Sequence, residues 1–254
     1  MKRRIRPEQI DDPDISVSKL EYLLRCVRLT NRRLGGTDSL LSSLAAWSPR
    51  WPKGREVTLL DIGTGSGDLP LAAARWARES GHSFRVVGID ANSRVLEVAR
   101  RLCADEPGVE LRHCDAMTLL DEATSPFAPG SFDYVHAGMF VHHLEDPMVP
   151  RMLLAMNRIA RAGIVWNDLI RSRRGYAVAW LATIGLSIRH DCLASLHAGF
   201  REHEVLDLAQ QAGLTYTTHR ERYFCQRFTL AGERAEAWDR AQDARAIAGL
   251  AAIA

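Results

Sequence analysis

From Leu59 to Asp68 the chain reads Leu59-Leu60-Asp61-Ile62-Gly63-Thr64-Gly65-Ser66-Gly67-Asp68. An apolar run passes into three glycines at alternate positions, and an alanine-rich helical pattern follows over 67–80. Without Cβ atoms, such a turn lets the backbone bend sharply and approach a ligand closely. The helix N-terminus beyond it favours a negative group such as a carboxylate. A dinucleotide fingerprint, G-x-G-x-x-G, needs its third glycine at position 68, where this chain has Asp68. A carboxylate there repels a pyrophosphate but tolerates a zwitterion or a cation.

The texture on either side repeats the same unit. Val57–Gly63, Arg85–Asp90, Val109–Cys114, Ser131–Val135 and Gly163–Trp166 read as short apolar strands. Helical patterns over 67–80, 92–103 and 148–161 separate them. Strands alternating with helices predict a mainly parallel sheet covered on both faces, with right-handed crossovers. After a helix at 201–212, Leu214–Phe224 and Cys225–Leu230 read as an antiparallel pair closing the sheet. Ahead of the sheet, Ser16–Trp47 has helical spacing broken at Gly35-Gly36, which predicts two helices, the second capped by Asp38 or Ser39. The expected organisation is a helical cap over 1–50 and an α/β domain over 51–254, with an insertion around 170–200. The Ala/Arg/Glu-rich end, 232–254, has helical propensity only.

Composition removes several alternatives. Of 254 residues, 46% are hydrophobic and 25% charged, which is ordinary for a globular chain and excludes disorder. A net charge of +2 implies no nucleic-acid partner. Five scattered cysteines without a C-x-x-C pair fit a reducing compartment and neither a zinc site nor a disulfide framework. The start, Met1-Lys2-Arg3-Arg4-Ile5-Arg6-Pro7, leads into acidic residues rather than an apolar core, so no secretory signal is expected and the location is read as cytoplasmic. Gly175–Ile188 is apolar but only 14 residues long, too short to span a bilayer, and is expected to be a buried helix without stable membrane insertion.

The glycine turn preceded by Asp61 resembles motif I of the class I S-adenosylmethionine-dependent methyltransferases, a Rossmann-like fold with a seven-stranded sheet. The resemblance implies S-adenosylmethionine as cofactor and S-adenosylhomocysteine as product. It places Asp61, Gly63, Gly65 and Gly67 under the cofactor. Asp90, at the end of the second strand, would accept the ribose hydroxyls, or merely cap the next helix. Asp115 and the Ala116 backbone, after the third strand, would face the adenine. No (N/D)-P-P-(Y/F) motif for methylating nucleic-acid bases follows strand four, and Asn167-Asp168 is reversed from the Asp-Asn of a catechol-type metal site, so no metal is expected.

The late region narrows the resemblance. Cys192–Phe200, Glu204, Leu208 and Ala212-Gly213-Leu214 resemble the ubiquinone/menaquinone C-methyltransferase family. The segments Arg6–Asp14 and Thr30–Gly36 are similar to its bacterial secondary-metabolism relatives, found beside type III polyketide synthases. Where the quinone enzymes carry a tyrosine, this chain has Cys192. The resemblance implies an enzyme methylating a small, lipophilic aromatic acceptor, foremost at a phenolic oxygen. The alternatives are C-methylation of a quinol ring and a non-catalytic S-adenosylmethionine-binding protein. The oligomeric state stays open.

A phenol needs a base near neutral pH, and histidine is the suited side chain. His142 and His143 follow strand four, where strand ends face the ligand crevice. His190 and Asp191 stand in the expected roof over the acceptor. These four are the catalytic candidates, although adjacent His190 and Asp191 side chains are expected to diverge. His82, His113, His136, His203 and His219 lie away from the mouth by sequence. Arg171, Arg173 and Arg174 read as an anion site or a solvated face. Tyr176 and Trp180 read as pocket lining or core.

Overall fold

The computed structural model describes residues 2–238. Seven strands form one sheet in the order β3-β2-β1-β4-β5-β7-β6. They are β1 (Val57–Ile62), β2 (Phe84–Asp90), β3 (Val109–His113), β4 (Phe132–Gly138), β5 (Ala160–Leu169), β6 (Thr218–Arg222) and β7 (Arg227–Glu233). The first five run parallel, and β7 and β6 close the sheet antiparallel. This is the Rossmann-like class I methyltransferase arrangement. The two closing strands lie where the extended pattern after position 214 put them, and β4 and β5 extend further than expected. The terminal segment expected to be helical begins inside β7, and its part from 239 onward lies outside the described residues.

Period-two alternation decides which residues enter which core. Leu60 and Ile62 of β1 point to the face covered by α5 (Met148–Ile159) and α8 (Glu202–Gln211), where Met152, Leu153, Met156 and Val205 are fully buried. Val57 and Leu59 point to the opposite face, against α2 (Gly36–Trp47) and α3 (Asp68–Glu79). Leu40, Leu44 and Trp47 of α2 belong to that second core. A third cluster joins Leu20, Leu23 and Leu24 of α1 (Val17–Arg33) to Val95 and Val98 of α4 (Ser93–Leu102).

Two local expectations fail. Helix α2 starts at Gly36 with Gly35 at its cap, not at Asp38 or Ser39. Gly35 turns the chain at φ +83°, so the helix begins at once, and the Ser39 hydroxyl donates back to the Gly35 carbonyl from inside it. The apolar 175–188 stretch is not a buried helix. Helix α6 (Arg173–Ala182) ends early, Gly185 turns the chain at φ +77°, and α7 (Arg189–Ala198) begins after it. Of α6, only Gly175 is buried. The helix packs chiefly on α7 and has no sheet face to cover.

Candidate active site

The glycine turn leaves the C-terminal end of β1, as the sequence implies. Gly63, Gly65 and Gly67 all have positive φ, at +67°, +54° and +77°. The three serve different purposes. A Cβ on Gly63 would lie 2.5 Å from the Phe140 ring, and one on Gly67 would lie 2.9 Å from Cys103 Sγ. A Cβ on Gly65 would meet nothing within 4 Å among the described residues, so the loop faces open space there.

Asp90 closes β2 beside this opening. One carboxylate oxygen accepts from the Gly65 N–H at 3.0 Å and the other from the Asn92 N–H at 2.9 Å. Burial pushes its pKa up, against those two bonds. Helix α4 is capped by Asn92, not by Asp90. Asp115 stands exposed after β3, one oxygen accepting from the Met117 N–H at 2.9 Å, and Ala116 is buried beside it. The chain at Cys114 is tied to the Asp90 carbonyl by its N–H, so both acidic residues share one rim. Asp61 lies deeper. Its oxygens accept from the Thr64 hydroxyl at 2.7 Å and meet His136 Nδ1 at 2.5 Å.

His136, expected away from the mouth, is fully buried in the sheet beside Asp61. Asp61 and His136 are register partners on β1 and β4, and both are buried. A buried carboxylate needs a partner. Strand register, rather than any motif, was the signal that could have found it.

The histidine pair separates into two roles. His142 is buried, and its Nδ1 lies 2.7 Å from Asp168 Oδ1. Asp168 also accepts from the His142 backbone N–H at 3.1 Å and the Trp166 indole at 3.3 Å. Strands β4 and β5 are neighbours, so their C-terminal ends bring these residues together. Sequence weighed Asp168 only as part of a metal signature and missed it as the partner of His142. His142 Nε2 has no hydrogen-bond partner among the described residues. Facing it at 3.6 Å is Glu8 Oε1, from the N-terminal leader. Burial pushes His142 down, but Asp168 and then Glu8 more than offset this and hold it up to about 10. Burial, then the charge on His142, pushes His143 down to about 4.

The leader is pinned over this site by α7. Asp191 accepts from the Gln9 N–H at 2.9 Å and the Ile10 N–H at 3.3 Å, and the Ser195 hydroxyl donates to Glu8. Asp11 lies 3.6 Å from His143 Nδ1. Burial, then Glu8 and Asp191, pushes Asp11 up to about 6. His142, His143 and Asp191 thus converge, while His190 keeps a side chain 58% exposed. Contrary to the expected divergence, His190 Nδ1 reaches Asp191 Oδ1 at 3.1 Å. Glu8, His142 and His143 offer ligand atoms within 4.8 Å of one another, a donor set the sequence did not reveal.

The other candidates settle elsewhere. Arg171 is buried and pairs with Glu204, while Arg173 and Arg174 are exposed. Tyr176 meets His197 edge-on, and Trp180 lies under the Arg189 guanidinium at 4.6 Å. Sequence also passed over a buried chain from Asp68 through Asn31 and Arg227 to Asn167. Burial pushes Arg227 down to about 10.

Residues 59–163 match the model of the methyltransferase domain family. A demethylmenaquinone methyltransferase of Staphylococcus aureus (strain MRSA252) is 36% identical over 104 residues, which are 41% of this chain and 39% of that protein. The chain thus matches about two fifths of the length of such curated relatives. Among solved structures, the CurJ carbon methyltransferase superposes with a TM-score of 0.65 at 12% identity, covering 88% of this chain and 62% of that one. The magnesium protoporphyrin IX methyltransferase of Synechocystis PCC 6803, solved with bound S-adenosylhomocysteine, gives 0.55 at 14% identity and covers 89% and 92%. With the glycine turn, the acidic rim and the seven-stranded sheet in place, residues 59–163 match a methyltransferase domain within a sheet of the class I methyltransferase fold.

Proposed function

We propose that the chain methylates a hydroxyl of a small, lipophilic aromatic acceptor, with His142 as the base. The carrying observation is the buried His142 Nε2, which among the described residues faces only the Glu8 carboxylate at 3.6 Å, beyond hydrogen-bond distance, while Asp168 fixes the other ring nitrogen. Holding Nδ1–H on Asp168 leaves Nε2 as the atom that exchanges a proton. Gly65, Asp90, Asp115 and the Ala116 backbone would hold the cofactor, and the open space at Gly65 fits that role. Bound there, S-adenosylmethionine supplies a methyl group activated on a sulfonium.

The leader sets a condition. Asp168 first and Glu8 second favour the imidazolium form of His142. An acceptor hydroxyl can meet Nε2 only where Glu8 Oε1 now stands at 3.6 Å, so Glu8 must withdraw before His142 acts. The acceptor hydroxyl then takes the place of the Glu8 carboxylate, and burial protects the resulting phenolate from water.

C-methylation of a quinol ring is the second reading, favoured by the likeness to the demethylmenaquinone methyltransferase. A phenolate is nucleophilic at oxygen and at ring carbon, so the same base serves both. The test is turnover of phenolic and quinol acceptors with methyl-labelled cofactor, followed by NMR of the product. An O–CH₃ signal supports the first reading and a new C–CH₃ the second. His142→Ala should lower kcat by about 10²-fold or more with S-adenosylhomocysteine affinity kept. Activity should survive a chelator. Near-normal turnover in His142→Ala removes the base from the proposal.

A further inference from the structure

Helix α6 and the turn after it leave an apolar face uncovered. Val178 and Leu181 are 66% and 63% exposed, and their spacing of three puts them on one side of the helix. Trp180 is also exposed, and Ile184 and Leu186 continue the patch through the Gly185 turn. Isolated exposed apolar residues are ordinary, but a continuous set of this kind marks a contact surface. The hairpin is firmly based all the same. Ser172 caps α6 and donates to Gln226, whose side chain fills the space a Cβ on Gly175 would need.

Charge says what covers this face. From Ile170 to His190 the chain has no acidic residue. Exposed Arg173 and Arg174 stand at the start of α6, and Arg189 lies over Trp180 at its far side. The leader adds exposed Arg4 and Arg6, because the Arg4 N–H is bonded to the His197 carbonyl of α7 and Tyr176 of α6 packs on that same histidine. Of the leader's acidic residues, Glu8 is held by Ser195 and Asp11 faces His143, both turned to the site, and beyond them the chain runs to α4, where Arg94 holds the Pro13 and Ile15 carbonyls. Apolar side chains and a tryptophan ringed by arginines match an anionic lipid surface: the apolar groups enter the acyl boundary and the guanidiniums meet phosphates. No helix among the described residues is long and apolar enough to cross a membrane, so such contact is peripheral.

We propose that the α6–α7 hairpin docks this protein on the surface of an anionic phospholipid bilayer. The inference does not depend on the identity of the acceptor. It does give the hairpin a link to the site, since α7 also carries Asp191 and Ser195, which pin the leader over His142.

The experiment is sedimentation of the full chain with phosphatidylcholine vesicles and with vesicles containing phosphatidylglycerol. The expected result is partition onto the anionic vesicles only, weakened by high salt. Arg173→Glu/Arg174→Glu should lower the partition coefficient by about tenfold or more. Val178→Glu/Leu181→Glu should abolish it while S-adenosylhomocysteine binding and the far-ultraviolet dichroism stay unchanged. Both substitutions sit on exposed positions, so folding is not at stake. Two results overturn the proposal. One is equal partition of wild type and Val178→Glu/Leu181→Glu. The other is a wild type that ignores anionic vesicles, whether as a monomer or as a dimer that the same substitutions dissociate.

Discussion

Asp90 shows how one carboxylate holds a loop, accepting from both Gly65 and Asn92. Because it already fixes Gly65 and Asn92, Asp90→Ala should loosen the turn and weaken S-adenosylhomocysteine binding by about 1.5–3 kcal/mol, the range for bonds to a charged group. Titration calorimetry measures this, and unchanged affinity in a folded variant would take Asp90 out of the site. The glycines separate in the same experiment. Gly67→Ala pushes a methyl against Cys103 at φ +77° and should lower Tm by several degrees, whereas Gly65→Ala meets no neighbour and should chiefly weaken binding. Asp68 is a further reason for NAD to show no comparable binding. The His142–Asp168 pair adds a pH dependence. His142 is held above its ordinary 6.5, at about 10, so the imidazolium is favoured in the folded chain. Its stabilising contribution is complete below pH 6.5 and is lost as pH rises toward 10. Thermal melts should therefore show Tm falling across that window, and the fall should flatten in His142→Gln.

Among the elements, legibility follows the range of the interaction. The glycine turn was readable because its chemistry is local: strand, turn and helix lie within a dozen consecutive residues. The Asp61–His136 and His142–Asp168 pairs were not, because the first joins two strands through sheet register and the second joins the turn after β4 to the end of β5, and a linear pattern contains neither. The position of the leader was least readable of all. Its polar, proline-bearing sequence has no periodicity, and its place is fixed by Asp191 and Ser195 about 180 residues away. The apolar 175–188 stretch misled for a related reason: composition shows that a segment is apolar, not whether another element covers it. The leader also makes its own prediction. Glu8→Gln keeps the shape but removes the charge that helps hold His142 protonated. The pKa of His142, followed by NMR of the imidazole, should fall, and turnover near neutral pH should rise if leader withdrawal limits the rate. An unmoved His142 titration would show that Asp168 alone sets it.

At the scale of the whole molecule, the two faces of the sheet differ in how they depend on the N-terminal 50 residues. The face under α5 and α8 is built from later segments, whereas the face under α3 is completed by Leu40, Leu44 and Trp47 of α2. The leader contributes differently. Arg3 bonds the His142 and Leu144 carbonyls at 2.8 Å each and stacks on Phe200, but the leader's apolar contribution is slight: in residues 2–12 Ile5 is exposed and Ile10 is half-buried against the α1–α4 cluster. Two truncations should therefore diverge. Removing residues 2–12 loses the bonds of Arg3, Arg4, Glu8, Gln9 and Ile10, about 1 kcal/mol each at most, and uncovers partners that water can then satisfy. That corresponds to a drop of several degrees in Tm with the fold and cofactor binding retained. Removing residues 2–50 leaves holes where two leucines and a tryptophan packed, at about 2–5 kcal/mol for each. That sum reaches the whole stability of an ordinary domain, about 5–15 kcal/mol, so the remainder should not fold cooperatively. Far-ultraviolet dichroism and thermal melts of the two truncated chains check this. A cooperative melt from the chain that begins at residue 51 would show that α2 only covers the sheet, and that the methyltransferase core is complete without it.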